Sequence, residues 1–182
     1  MTVTNLTAEP CIYPKWLIAE LRSDHAGELG AVMIYRGILA VASEPALRAF
    51  AEEHLATERQ HLQTLESLLS QSKRSRLQWP WRAAGWLIGS IPALIGTQWV
   101  YATIQTVEAF VDAHYQQQIV RLRTELPADP VTDLLERCRA DEVMHQQDAA
   151  ARVEGNPSLA LSLWLKTVDL GSRAAVAVAR HI

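Results

Sequence analysis

The sequence predicts an all-α protein, an antiparallel four-helix bundle with two accessory helices, and three observations predict it. Apolar residues recur at helical spacing through six segments, with no period-two strand pattern. Proline, glycine and small polar residues interrupt those segments where helices begin and end. A Glu-x-x-His pair occurs twice, Glu58 with His61 and Glu142 with His145, and each pair is preceded at long range by another glutamate, Glu28 and Glu108. The separations, 30 residues from Glu28 to Glu58 and 34 from Glu108 to Glu142, each suit a helix up, a turn and a helix down. The chain therefore reads as one half written twice, over residues 14–72 and 97–153, within a single domain spanning 14–182.

Pro14 can open the first helix, which carries Trp16, Leu17, Leu21, Leu29, Val32, Met33, Leu39 and Val41 and ends near Ser43. Pro45 suits the first turn of the second, which runs to about Ser70 and bears Glu58 and His61. Ser72 to Arg76 is a basic, polar loop, and an apolar connector follows over 77–96. The fourth segment, about Thr97 to Glu125, bears Glu108. Asp129 stands as an N-cap before Pro130, opening a helix to about Val153 that bears Glu142 and His145. Gly155, Asn156 and Pro157 stop it, and a final amphipathic helix occupies 157–180.

Residues three apart in a helix lie about 60° apart around its axis and one turn along it, so each Glu-x-x-His offers a carboxylate and an imidazole to one point. One such pair is common by chance on an exposed helix. Two pairs with matching long-range glutamates are the ligand set of a dinuclear carboxylate-bridged centre, with Glu28, Glu58, His61, Glu108, Glu142 and His145 as metal ligands. Iron is the expected metal and manganese the lesser candidate.

Composition narrows the classes. With 182 residues and 49% hydrophobic side chains, the chain can bury a sizeable core. A net charge of −3 leaves no basic excess to neutralise phosphates, so no nucleic-acid partner is expected. Cys11 and Cys138 form no Cys-x-x-Cys, so neither a disulfide framework nor a thiolate metal site is indicated, and a reducing cytoplasm is the expected compartment. Residues 1–13 read as a flexible leader, and Met1 to Pro14 shows no secretory pattern.

The string Asp24-His25-Ala26-Gly27-Glu28, followed by Gly30 and Ala31, resembles the signature of the demethoxyubiquinone hydroxylases, the ferritin-like diiron enzymes of ubiquinone biosynthesis. Further matches follow in order: Glu58-Arg59-Gln60-His61-Leu62, Val107-Glu108 with His114-Tyr115 and Gln118, and Asp141-Glu142-Val143-Met144-His145. The resemblance covers about Leu21 to Arg180. It implies a ferritin-like bundle, two iron ions on the six ligands above, dioxygen and a long-tailed quinone as substrates, and an external reductant such as an NADH-linked donor. Homo-oligomers or other ubiquinone-biosynthesis proteins are further partners it suggests. Two stretches depart from the family pattern: Gln146-Gln147, where many members carry acidic or histidine residues, and Phe110 to Ala113, which is often polar.

Other polar residues carry expectations beside a plainer reading. Asp141 could accept the free N–H of a ligand histidine, against a solvated aspartate. The resemblance places His114 and Tyr115 beside the metals as a proton or electron relay, while an inward tyrosine more often packs in a core. His25 could lie behind the ligands or cap the way in, and His54 and His181 read as surface residues.

Leu77 to Tyr101, with Trp79, Trp81, Trp86 and Trp99 among aliphatic residues, is interrupted by Pro92 and too short for a membrane span. Interfacial contact suits it, with Lys73, Arg74, Arg76 and Arg82 meeting anionic lipid, and a buried connecting helix is the competing reading. The family's bilayer-resident substrate favours the interface, and hence a chain peripherally associated with the inner (cell) membrane. The competing function is an iron-handling or oxygen-scavenging protein with the same ligands and no organic substrate. The apolar segment argues against a soluble iron cage. The absence of Cys-x-x-Cys argues against a rubrerythrin, and the intact ligand set against an inactive assembly factor.

Overall fold

The computed structural model describes residues 13–182 and contains six α-helices: α1 (Lys15–Val41), α2 (Pro45–Leu68), α3 (Gln78–Ile95), α4 (Thr97–Glu125), α5 (Pro130–Ala150) and α6 (Leu159–Ala179). A short 3-10 turn, Gln71–Lys73, links α2 to α3, and there is no strand among the described residues. The expected leader and Cys11 lie, up to residue 12, outside the described residues.

Local chemistry sets the helix ends. Pro45 and Pro130 stand in first turns, where no intrahelical N–H partner is needed, and Asp129 caps α5 by accepting from Val131 N–H at 2.9 Å. The last helix starts two residues later than the Pro157 start expected, because Ser158 is the cap: its hydroxyl accepts from Leu161 N–H at 3.2 Å. Similarly α5 ends at Ala150 rather than near Val153. The apolar stretch through Tyr101 spans two helices, in keeping with the connector expected over 77–96 and the segment expected from Thr97. It breaks at Gly96, and Tyr101 belongs to α4, where it is buried.

Helices α1 and α2 form one hairpin, α4 and α5 the other. Cross-bundle contacts give the register. Tyr35 meets Glu108 while Ser23 meets His114, and His54 meets Asp148 while His61 meets Asp141, so α1 runs antiparallel to α4 and α2 to α5. Two apolar clusters fill the interior. One gathers Val32, Tyr35, Ile38, Phe50, Leu55, Val100 and Ile104, and the other Leu17, Leu21, Leu65, Tyr115, Ile119, Leu122 and Leu135. All six expected ligands fall between them along their helices, so the charged layer is sealed at both ends by hydrocarbon.

Helix α3 lies directly on α1. A β-carbon at Gly89 would collide with the Ile34 carbonyl oxygen, and one at Gly85 with the Gly30 carbonyl oxygen. Only glycine permits this approach. Helix α6 packs across α4 and α1, with Trp164 Nε1–H donating to Thr103 Oγ1 at 2.8 Å. Outward, α3 exposes Trp79, Leu87, Leu94 and Ile95, and α6 exposes Leu159, Leu163 and Leu170. No helix among the described residues is long and apolar enough to cross a membrane.

Candidate metal centre and the pocket above it

Helix periodicity turns the two Glu-x-x-His spacings into converging side chains, and the antiparallel hairpins bring all six together. Glu28, Glu58, His61 and Glu142 form one group whose ligand atoms lie within 4.8 Å of one another, and Glu58, Glu108, Glu142 and His145 form a second. Glu58 and Glu142 belong to both. The pattern is two adjoining positions, each with its own glutamate and histidine, sharing two carboxylates contributed by α2 and α5. His61 Nδ1 lies 3.1 Å from Glu142 Oε1, and His145 Nδ1 lies 3.0 Å from Glu58 Oε1.

Several of the atoms that would hold cations are left without protein hydrogen bonds. Both Glu58 oxygens, Glu142 Oε1, His61 Nδ1 and His145 Nδ1 are buried and unpartnered. Unpaired groups of this kind are costly unless something charged completes them. Burial, reinforced by the carboxylates of Glu142, Glu28 and Glu108, lifts Glu58 well above the usual carboxylate range, and burial with Glu142 lifts Glu108 likewise. Burial opposes charge on His61 too, yet Glu142 and Glu28 push its imidazole up to about 12. Against its own burial, Glu142 is held down to about 2 by His145 and His61. The cluster thus shares protons to limit its own repulsion, and two divalent cations would replace them. Oxygen-rich donors with one imidazole apiece fit iron or manganese.

Groups around the ligands hold them in place. His61 Nε2 lies 3.0 Å from Asp141 Oδ2, so the aspartate adjoins a candidate ligand histidine and leaves Nδ1 facing the carboxylate cluster. Tyr115 donates its phenolic proton to Glu28, and Tyr35 donates to Glu108 Oε1 at 3.0 Å. Burial and the adjacent carboxylates raise both phenols well above their ordinary range, so they remain donors. Tyr35 was not among the sequence candidates, although its signal is present: it follows Glu28 by seven residues, as Tyr115 follows Glu108. The antiparallel register crosses the pairs, so each tyrosine serves the other half's glutamate.

His114 touches none of the six. Its Nε2 meets Asp24 Oδ1 at 3.1 Å, Ser23 Oγ at 3.2 Å and the Gln118 amide nitrogen at 2.8 Å, and its Nδ1 faces Arg180 at 3.4 Å. Buried His25 lies outside both ligand groups, its Nε2 3.5 Å from Glu66 Oε1, and His181 is exposed as expected. His54 contradicts its surface reading. It is 4% exposed, stacks on His145 with ring centroids 4.2 Å apart, and bonds Tyr35 through Nδ1 at 3.2 Å and Asp148 through Nε2 at 3.0 Å. The spacing His54, Glu58, His61 puts it on the ligand face of α2, which is why the bundle buries it. Burial, with His145 adding to it, lowers its imidazole to about 4.

A cavity of about 240 Å³ opens onto Glu28, Glu58, Glu108 and Glu142. Its walls come from α1 (Ala26, Gly27, Ala31, Ile34), α3 (Trp81, Gly85, Ile88), α4 (Val107, Phe110, Val111) and α6 (Gly171, Ala175, Val176), with Asp24, His114 and Tyr115 as polar lining. The wall is mostly hydrocarbon and the floor carboxylate. Phe110 and Val111 lie in the stretch that departs from the family pattern, so the departure falls on the pocket wall. The contribution of α6 was not legible in sequence, since nothing in its pattern says which elements it covers.

The description "Ubiquinone biosynthesis protein COQ7" belongs to the family model that matches residues 15–179. The chain is 31% identical over 169 residues to the NADPH-dependent 3-demethoxyubiquinone 3-hydroxylase, mitochondrial, of Caenorhabditis elegans, covering 89% of this chain and 88% of that one. It is 31% identical over 166 residues to the 3-demethoxyubiquinol 3-hydroxylase of Rhodospirillum rubrum (89% and 76% covered), and 32% identical over 167 residues to that of Paracidovorax citrulli (90% and 78%). A match across nearly all the described helices, on a chain that brings both Glu-x-x-His pairs to one buried layer, settles the relationship: this chain belongs to the COQ7 family of ubiquinone-biosynthesis proteins.

Proposed function

We infer that this chain is a diiron monooxygenase that hydroxylates the ring of a demethoxyubiquinone or demethoxyubiquinol intermediate in ubiquinone biosynthesis. The observation that carries the reading is the pair of ligand groups sharing Glu58 and Glu142 at the floor of an apolar cavity. Hydroxylase activity in the relatives agrees with it. Glu28, Glu58, His61, Glu108, Glu142 and His145 would hold the metals, and two ferrous ions would supply the reduction of dioxygen that side chains cannot perform. The protein's part is positional. Tyr115 and Tyr35 hold Glu28 and Glu108, Asp141 orients His61, and the hydrocarbon wall excludes water while aligning the quinone ring with the floor. His114, set among Asp24, Ser23 and Gln118 at the polar side of the cavity, serves as the relay to the ring.

The cavity walls include α3 and α6, whose outer faces expose Trp79, Leu94, Leu159 and Leu170. A prenyl tail could therefore leave the site between two helices resting on the bilayer, with Lys73 and Arg76 exposed nearby at the start of α3. Peripheral association with the cytoplasmic membrane follows. The electron source is a reduced nicotinamide, as in the relatives named NADPH-dependent. The test is anaerobic ferrous loading, then dioxygen and a short-chain demethoxyquinol. The expected product is heavier by one oxygen atom, and none from protein holding two iron ions would overturn the reading.

A further inference from the structure

We propose that Asp24 seats the substrate ring by accepting the O–H of a ring hydroxyl on its free carboxylate oxygen, so that the cavity takes the hydroquinone in preference to the quinone. The proposal deepens the monooxygenase reading and rests on it. Asp24 lies on α1, one turn before Glu28, with its side chain buried at the cavity wall. One oxygen, Oδ1, accepts from Gln118 Nε2–H at 2.6 Å and lies 3.1 Å from His114 Nε2. The other, Oδ2, is buried with no hydrogen-bond partner among the described residues, and so is Gln118 Oε1. Neither Asp24, Gln118 nor His114 belongs to the two ligand groups, so these oxygens stand apart from the metal layer.

The donors near Asp24 are already committed. Ser23 O–H donates to the Glu20 carbonyl at 2.7 Å, Gln118 N–H to Asp24 itself, and Tyr115 O–H to Glu28. Both His114 nitrogens face protein groups. What this wall offers a ligand is therefore acceptors, beside the carboxylates of the floor. Ser172, on the α6 wall, can donate or accept and so favours neither form. A quinol carries two O–H donors, whereas a quinone presents carbonyl oxygens that would meet Asp24 Oδ2 as acceptor against acceptor. Burial raises the Asp24 carboxyl while the bonds from His114 and Gln118 oppose that, and a ligand hydroxyl acts in the same sense as those bonds. There is room for the ring, because a β-carbon at Gly27 or Gly171, both on the cavity wall, would meet nothing within 4 Å. The contact also suits the chemistry. In a 1,4-hydroquinone every other ring carbon adjoins a hydroxyl-bearing one, and an O–H held by a carboxylate releases oxygen electron density to those carbons, including the one to be hydroxylated.

The test reads binding and needs no turnover. The full chain, with two zinc ions in place of iron so that the ligand is neither oxidised nor reduced, is titrated anaerobically by calorimetry with a short-chain demethoxyquinol, its quinone and its dimethyl ether. The wild type should bind the quinol about tenfold or more tightly than either of the others. In Asp24→Asn the amide can keep its oxygen toward Gln118 and turn its NH₂ group to the ring, so the preference should reverse toward the quinone with two zinc ions still bound. In Gly171→Leu, which adds hydrocarbon to the cavity wall, both forms should weaken together. Equal wild-type affinity for quinol and quinone, an unchanged preference in Asp24→Asn, or full affinity in Gly171→Leu would overturn the assignment. Should Asp24→Asn fail to fold, the dimethyl ether decides from the wild type alone: binding as tight as the quinol's overturns the role of the hydroxyl. A wild type that holds two zinc ions yet binds none of the three ligands would instead count against the underlying monooxygenase reading.

Discussion

Removing a shared carboxylate should empty both metal positions, whereas removing an unshared one should empty one. Glu58 belongs to both ligand groups and Glu28 to only one. Four carboxylates balance two divalent cations, so Glu58→Ala leaves one uncompensated positive charge in a layer where Glu58 itself is 0% exposed. At the 3.0–4.0 Å separations between ligand atoms here, a lost unit interaction amounts to about 4 kcal/mol at an effective dielectric of about 20. That is about a thousandfold in affinity. Metal analysis after ferrous loading and gel filtration should find close to two ions in the wild type, about one in Glu28→Ala and nearly none in Glu58→Ala. The metal-free protein should respond in the opposite sense. Glu58 is raised in the folded state, so the native form holds a proton that the unfolded form has already lost, and metal-free stability falls as pH rises above the unfolded carboxyl value of about 4.3. Glu58→Gln should flatten that decline and melt higher than wild type without metal. One ion retained by Glu58→Ala, or a metal-free Glu58→Gln less stable than wild type at neutral pH, would refute the shared-ligand reasoning.

Other consequences follow from the same contacts. Asp141→Asn weakens the carboxylate behind His61 and should lower metal affinity about 10- to 100-fold, read by competition with a chelator. Gly89→Ala drives a methyl group into the Ile34 carbonyl and should cost about 1–3 kcal/mol, seen as a lower melting temperature. Polar substitution of Trp79, Leu94, Leu159 and Leu170 together should abolish sedimentation with anionic vesicles while leaving metal content unchanged, since each large apolar side chain is worth about 1.5–3 kcal/mol when buried. Burial pushes the Cys138 thiol up to about 12, so iodoacetamide at pH 8 should modify it only as fast as the protein opens, and mass spectrometry of the labelled peptide checks this.

The parts of the site visible in sequence were those whose partners are local. A Glu-x-x-His needs only the helix period to converge, and Pro45, Asp129 and Pro130 mark helix starts by their own backbone chemistry. What stayed hidden depends on register between helices. The crossed pairs Tyr35–Glu108 and Tyr115–Glu28 exist because α1 and α4 are antiparallel, and nothing near either tyrosine states that. His54 was read as surface because its partners, Tyr35 and Asp148, lie on α1 and α5. Its spacing from Glu58 and His61 was a usable signal that the pairwise motif obscured. The seating of α3 is a third case. Gly85 and Gly89 resemble ordinary small residues until the α1 backbone is placed against them.

The most direct test of the central claim is the destination of the oxygen atom. Ferrous-loaded protein, given labelled dioxygen, a reductant and a short-chain demethoxyquinol, should place one labelled atom on the quinol ring, and Glu58→Ala should abolish the incorporation. Rapid ferrous oxidation that builds ferric mineral on repeated additions, indifferent to quinol and yielding no labelled product in the presence of lipid and reductant, would contradict the account and leave an iron-handling protein in its place.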